Sequence, residues 1–243
     1  MRNPLRKVTQ LFRKHQPLAY QQVHFKGTLY SGSVKTRRMF YSLDILNEIR
    51  GRSFVDLGCN RGGYVFLAED NGASPTIGVD VNEHSINQAR KIADKHGSSS
   101  EFVVADIFDY SGDMGSTDFL LCTAVFRHLY AQVKQKYDPN FTQPKQYLTY
   151  TSMDVLIRQN SDDNDEIKSA YDAILRTMID KANLRFICSF NDNSGLIHRR
   201  AEEVDRYFKS LHPRVKSTET FIPDYGMHKY IFVNLQMEPI EKA

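Results

Sequence analysis

Short apolar runs of strand length alternate along this chain with polar stretches that carry apolar residues at helical spacing. The run Ser53 to Leu57 ends at a glycine and leads into a helix predicted from about Gly63 to Asn71. A second run, Thr76 to Val79, ends at Asp80. The following EHSINQARKIADKHG sets Ile86, Ala89 and Ala93 on one helical face, and Gly97 supplies a stop. FVVAD (Phe102 to Asp106) and FLLCTAV (Phe119 to Val125) are two further strand-length runs. IKSAYDAILRTMI then aligns Ile167, Ala170, Tyr171, Ile174, Leu175 and Met178 in one stripe ahead of the strand LRFICSF. Strands alternating with helices of this length predict an α/β fold, a mostly parallel sheet with helices on both faces. VKSTETFIPDYGMHKYIFVNL breaks the rhythm and predicts two strands around a Pro-Asp-Tyr-Gly turn, an antiparallel C-terminal hairpin at the sheet edge.

Two segments stand outside this alternation. Residues 137–166 form the one long polar break, YDPNFTQPKQYLTYTSMDVLIRQNSDDNDE; an insertion of this length reads as a functional loop or lid, with a surface insertion as the plainer alternative. Residues 1–50 read as a basic segment with helices that covers cofactor and substrate, ahead of a main domain from 51 to 243. Leu5, Val8, Leu11 and Phe12 recur there at helical spacing.

Charge sharpens that division. Nine of the 32 Lys and Arg residues lie in residues 1–43, where no acid occurs, leaving 23 against 29 acids in the remainder. Such a segment favours an anionic partner, whether a phosphate-bearing small molecule or RNA, or else it is a solvated amphipathic helix. No apolar run approaches the roughly 18 to 20 residues of a membrane span, and MRNPLRKVTQLFRKHQ lacks the apolar centre of a signal peptide, so a cytoplasmic location is expected. Cys59, Cys122 and Cys188 have no metal-site spacing and are expected to be buried thiols, with no metal bound.

The chemistry concentrates in Asp56-Leu57-Gly58-Cys59-Asn60-Arg61-Gly62. A strand entering a helix through such a loop brings backbone N–H groups and a helix N-terminus to a ligand. A dinucleotide fingerprint needs a second glycine where the diphosphate presses; here that position is Asn60, which tolerates positive φ but keeps a side chain. Asp56, just before the loop, repels a diphosphate and suits a ligand with an amino group. Asp80 and Asp106 end the next two predicted strands, so three acids open into one crevice. Taken singly, each has a plainer role as helix cap or turn former.

These residues resemble the class I S-adenosylmethionine-dependent methyltransferases, whose first motif, (D/E)xGxGxG, DLGCNRG departs from only at Asn60. Asp80, 24 residues after Asp56, matches the acid that binds both ribose hydroxyls, and Asp106 matches the acid near the adenine. The resemblance is specific from Ser53 to about Tyr130. It implies a Rossmann-like seven-stranded sheet, S-adenosyl-L-methionine as cofactor, and a cofactor site made by Asp56, Gly58, Asn60, Gly62, Asp80, Val81, Asp106, Ile107 and Thr123. Arg38 matches an arginine that pairs with the methionine carboxylate in some relatives with DLGCN loops.

The acceptor side is less determined. LLCTAVFRHLY lacks the (N/D/S)PP(Y/F) box of family members that methylate planar amino groups. The expected acceptor is an oxygen of a small molecule or glycan, with His128, just after the fourth strand, as general base. Two alternatives stand beside it. One is an enzyme acting on RNA or an RNA-linked phosphate, drawing on Phe12, Tyr20, Phe25 and Tyr30 among the basic residues; the other is an inactive cofactor-binding partner subunit. Asn191, Asp192 and Asn193 after the fifth strand face the same crevice or form a turn.

Overall fold

The computed structural model describes residues 20–125, 135, 165–191, 201–221 and 230–238. The first half of the chain contains β1 (Val23–Phe25), β2 (Thr28–Tyr30), α1 (Thr36–Tyr41), β3 (Phe54–Leu57), α2 (Gly63–Asp70), β4 (Thr76–Asp80), α3 (Glu83–His96), β5 (Glu101–Val104) and α4 (Ile107–Asp113). There follow β6 (Thr117–Cys122), α5 (Asp165–Lys181), β7 (Ala182–Asn191), α6 (Ala201–Leu211), β8 (Val215–Phe221) and β9 (Tyr230–Met237). Seven strands form one sheet in the order β5-β4-β3-β6-β7-β9-β8, and β1 with β2 forms a separate hairpin. β3 to β7 pair in parallel, while β9 runs antiparallel to both β7 and β8, as the terminal strand pattern predicts.

Strand periodicity explains how the sheet is covered. Val55, Leu57, Leu120, Cys122, Phe186 and Cys188 point to one face and pack against Leu175, Met178 and Ile179 of α5 and Val204, Phe208 and Leu211 of α6. Phe54, Phe119, Leu121, Ile187 and Phe232 point to the other, under Met39 and Phe40 of α1 and Tyr64, Leu67 and Ala68 of α2. All three cysteines are free and buried, as expected from their places in apolar runs. Among the described residues, no helix is long and apolar enough to cross a membrane.

The β1–β2 hairpin is absent from the sequence pattern. Its tip is Lys26 (φ 44°) and Gly27 (φ 75°), both left-handed as a two-residue hairpin turn requires. Lys26 tolerates this because it is fastened at both ends: its N–H donates to Asp70 Oδ2 at 3.0 Å, and its Nζ donates to the His96 carbonyl at 2.8 Å, at the C-terminus of α3. Val23 and Phe25 then complete a third cluster with Val65, Phe66, Ile86, Ala89, Ile92 and Phe102.

The predicted strand Phe119 to Val125 is corrected: β6 stops at Cys122, and Ala124 turns left-handed at φ 58°. α4 is likewise an addition, a seven-residue helix too short to announce itself by periodicity. The expected helix around Leu5 to Phe12, His128, Asp192, Asn193 and nearly all of the 137–166 insertion lie outside the described residues.

Candidate active site

Consecutive connections run from β3 outward to β5 on one side and from β6 to β7 on the other, so the order reverses between β3 and β6. Above the carboxyl ends of these two strands an open α/β sheet forms its ligand crevice. The loop that follows β3 meets it with three left-handed residues, Gly58 (φ 83°), Asn60 (φ 52°) and Gly62 (φ 77°). Asn60 therefore keeps the turn that a glycine would have made. At Gly58 a Cβ would sit 2.4 Å from the Cγ2 of Val125, so only glycine lets the segment after β6 close on the loop. At Gly62 a Cβ would lie 2.5 Å from the Phe102 ring, which ties that glycine to packing beneath the loop.

Asp80 organises the loop directly. Its Oδ2 accepts the Asn60 N–H at 2.8 Å and its Oδ1 accepts the Asn82 N–H at 2.8 Å. Asn82, not Asp80, caps α3, its side chain accepting the Ser85 N–H at 3.0 Å. Each Asp80 oxygen keeps a further lone pair for a hydroxyl donor. Val81, next along the chain, is 67% exposed, an apolar side chain left open at the end of β4. Asp106 lies two residues past β5, half-buried, and its carbonyl accepts the Tyr110 N–H at 3.0 Å at the start of α4. Ile107 reaches within 3.8 Å of the position a Gly58 Cβ would take.

Asp56 is the anomaly of the site. It is 1% exposed, and among the described residues neither carboxylate oxygen has a hydrogen-bond partner. Burial, and then the nearby Asp80 carboxylate, push its carboxyl well above the usual carboxylate range. A buried polar group without a partner is rare in folded proteins. A cationic or amine donor entering above β3 answers that deficit, and the adenosyl donor expected from the sequence carries such a group on its methionine end.

A small crevice opens between Gly58 and Asn60 of the loop, Thr123 and Ala124 after β6, and Tyr20 and Met39 from the N-terminal side. Arg38 sits on the exposed face of α1, beside Met39. Several lining residues escaped the sequence reading, and two of them make hydrogen bonds that shape the crevice. Ser189 of β7 is one. The other is Gln21, 5% exposed, whose Oε1 accepts the Gly63 N–H at 2.9 Å and so caps the N-terminus of α2. Its backbone is held by exchange with residue 34, Gln22 N–H to the Val34 carbonyl at 3.0 Å and Val34 N–H to the Tyr20 carbonyl at 2.8 Å. A diphosphate could take the helix N-terminus only by displacing this side chain. Gln21→Ala leaves the Gly63 N–H buried and unpaired, a penalty of about 1–3 kcal/mol. We expect it to weaken S-adenosylhomocysteine binding about tenfold by calorimetry, since the loop and α2 lose a common anchor. An unchanged dissociation constant would confine Gln21 to the fold.

Comparison with known proteins agrees with this geometry. A family model described as a methyltransferase domain matches residues 50–202. The chain belongs to this methyltransferase family. The resemblance drawn from Asp56, Asp80 and Asp106 to class I S-adenosylmethionine-dependent methyltransferases is thereby borne out, in family and in fold, and S-adenosylmethionine is the donor that goes with it. An uncharacterised protein of Haemophilus influenzae is 38% identical over 58 residues, 24% of this chain and 23% of that one. Phosphoethanolamine N-methyltransferase of Triticum aestivum is 29% identical over 89 residues, 37% of this chain and 17% of the enzyme. The aligned stretches thus span under a quarter of these relatives' own length. Among solved structures, magnesium protoporphyrin IX methyltransferase from Synechocystis PCC 6803 with bound S-adenosylmethionine superposes with a TM-score of 0.54 at 14% identity, covering 84% of this chain and 78% of that one. At that identity the likeness is one of fold.

Proposed function

We propose that this methyltransferase moves a methyl group from S-adenosylmethionine to an oxygen of a small-molecule or glycan acceptor. The observation that carries the donor half is Asp56, a buried carboxylate without a partner among the described residues, beneath a loop that Asp80 holds open. Asp56 would accept from the methionine ammonium, Asp80 from the ribose hydroxyls, and Val81 and Ile107 would give the adenine apolar cover beside Asp106. Arg38 would offer its guanidinium fork to the methionine carboxylate. Among the described residues that line the crevice, none is charged; they include Tyr20, Val34, Met39, Tyr64, Thr123 and Ser189. That uncharged lining favours a compact neutral acceptor over the phosphates of RNA.

When bound, the donor would supply an electrophilic methyl on a sulfonium, with the neutral thioether as its leaving group. The chain's part is alignment, exclusion of water and removal of the hydroxyl proton, which His128 would accept. With labelled S-adenosylmethionine, transfer is expected into pools of hydroxylated metabolites or glycans. Label entering only amine or RNA pools would overturn the acceptor. His128→Ala should keep its affinity for S-adenosylhomocysteine and lose turnover by roughly 10²-fold or more. Near-normal turnover would remove His128 from the mechanism and point to an acceptor already ionised.

A further inference from the structure

The structure assigns Ser189 a positioning role in methyl transfer: from β7 it holds the turn that leaves β6 against the cofactor loop. The assignment rests on the methyltransferase reading of the crevice and deepens its acceptor side. β6 and β7 are parallel neighbours with Cys122 opposite Cys188, so the next residues, Thr123 and Ser189, stand together at the carboxyl end of the sheet. There the chain after β6 does something costly. Ala124 takes φ 58°, a conformation that its Cβ resists. What holds it is the Ser189 hydroxyl, whose Oγ accepts the Ala124 N–H at 2.9 Å. Ser189 is 1% exposed, so water does not compete for that bond.

The turn has a destination. One residue on, Val125 lies against Gly58, its Cγ2 only 2.4 Å from where a Cβ would project. Ser189, Ala124, Thr123 and Gly58 all border the one crevice. The bond therefore fixes Ala124, the left-handed Ala124 directs Val125, and Val125 seats the β6 exit on the loop. That chain of contacts sets the gap between the loop that grips the donor and the segment that faces the acceptor. Displacements of about an ångström in such a gap are enough to lower rates many-fold. Ser189 acts through Ala124, so it is a positioning residue and not a catalytic one.

Calorimetry with S-adenosylhomocysteine, joined to amide hydrogen exchange, tests this role. Ser189→Ala is expected to raise the dissociation constant about tenfold and to speed exchange of the Ala124 amide, because a buried N–H has lost its acceptor. The same substitution made in an Ala124→Gly background should raise it less than about threefold, since glycine holds the left-handed turn without an anchor. Should Ser189→Ala fail to fold, Ser189→Cys, a poorer acceptor in the same space, carries the same pair of expectations. A dissociation constant unchanged in the Ser189 variant, with only the thermal midpoint lowered, would overturn the role. Equal losses in both backgrounds would overturn it too, by locating the effect away from the turn. Wild-type protein that binds no S-adenosylhomocysteine would instead sink the donor reading, and this role with it.

Discussion

Asp80→Ala is expected to weaken binding of S-adenosylhomocysteine at least tenfold while leaving the circular dichroism spectrum of the fold in place. Two losses combine in that residue. The first is direct: hydrogen bonds to an ionised carboxylate contribute about 1.5–3 kcal/mol each, and one such bond to a ribose hydroxyl accounts for roughly tenfold alone. The second is internal, because the same carboxylate accepts the backbone N–H groups of Asn60 and Asn82. Without it the left-handed Asn60 loses the bond that offsets its strain, and the loop reaches the ligand less ordered. Asp80→Asn separates the two, since one amide oxygen can serve the loop but presents no charge. It should fall between wild type and Asp80→Ala. Calorimetry giving equal dissociation constants for all three proteins would remove Asp80 from the site.

The second large effect is expected at Asp56, and its signature is a proton. Burial and Asp80 raise the folded-state pKa of Asp56 above its unfolded value. Below the unfolded pKa, roughly 3.9, the carboxyl is neutral in both states and its contribution to stability is fully present. As pH rises toward the folded pKa, the unfolded chain ionises while the folded one stays protonated, and that contribution is lost. A ligand ammonium reverses the balance by favouring the carboxylate. Binding of S-adenosylhomocysteine at a pH between the unfolded and folded pKa values should therefore release a proton from the wild-type protein, read as a dependence of binding heat on the ionisation heat of the buffer. Asp56→Asn should abolish that release, weaken binding at least tenfold, and flatten the fall in stability with pH. Equal proton release in the two proteins would break the link between Asp56 and the ligand.

Much of this is legible in the amino-acid sequence itself. The strands and helices from β3 to β5 follow from runs and stripes of apolar residues, and the convergence of Asp56 and Asp80 follows from parallel strands ending at one edge. Asn60 is legible for the same reason, since few residues other than glycine fill a left-handed turn. What escaped depends on partners far away in sequence. Gln21 caps α2 across 42 residues, and Ser189 anchors Ala124 across 65. Neither residue carries a local pattern. The end of β6 is hidden in the sequence because FLLCTAV is apolar throughout, while the Ala124 N–H turns to Ser189 and leaves the ladder. The β1–β2 hairpin consists of two three-residue strands, of which Val23 and Phe25 enter the core while Leu29 is exposed, so the segment is too short for a period to accumulate.

That hairpin also determines how much chain the enzyme needs in order to be an enzyme. The stretch matched by the family model begins at residue 50, downstream of it. A protein cut to begin there would lose Val23 and Phe25 from the third core cluster, baring Phe66 and Phe102 to water, and would leave the Gly63 N–H without Gln21. Solubility and cofactor affinity would fall together, so in this protein the stretch matched by the family model and its N-terminal strap are one folding unit, inseparable by a shorter expression boundary.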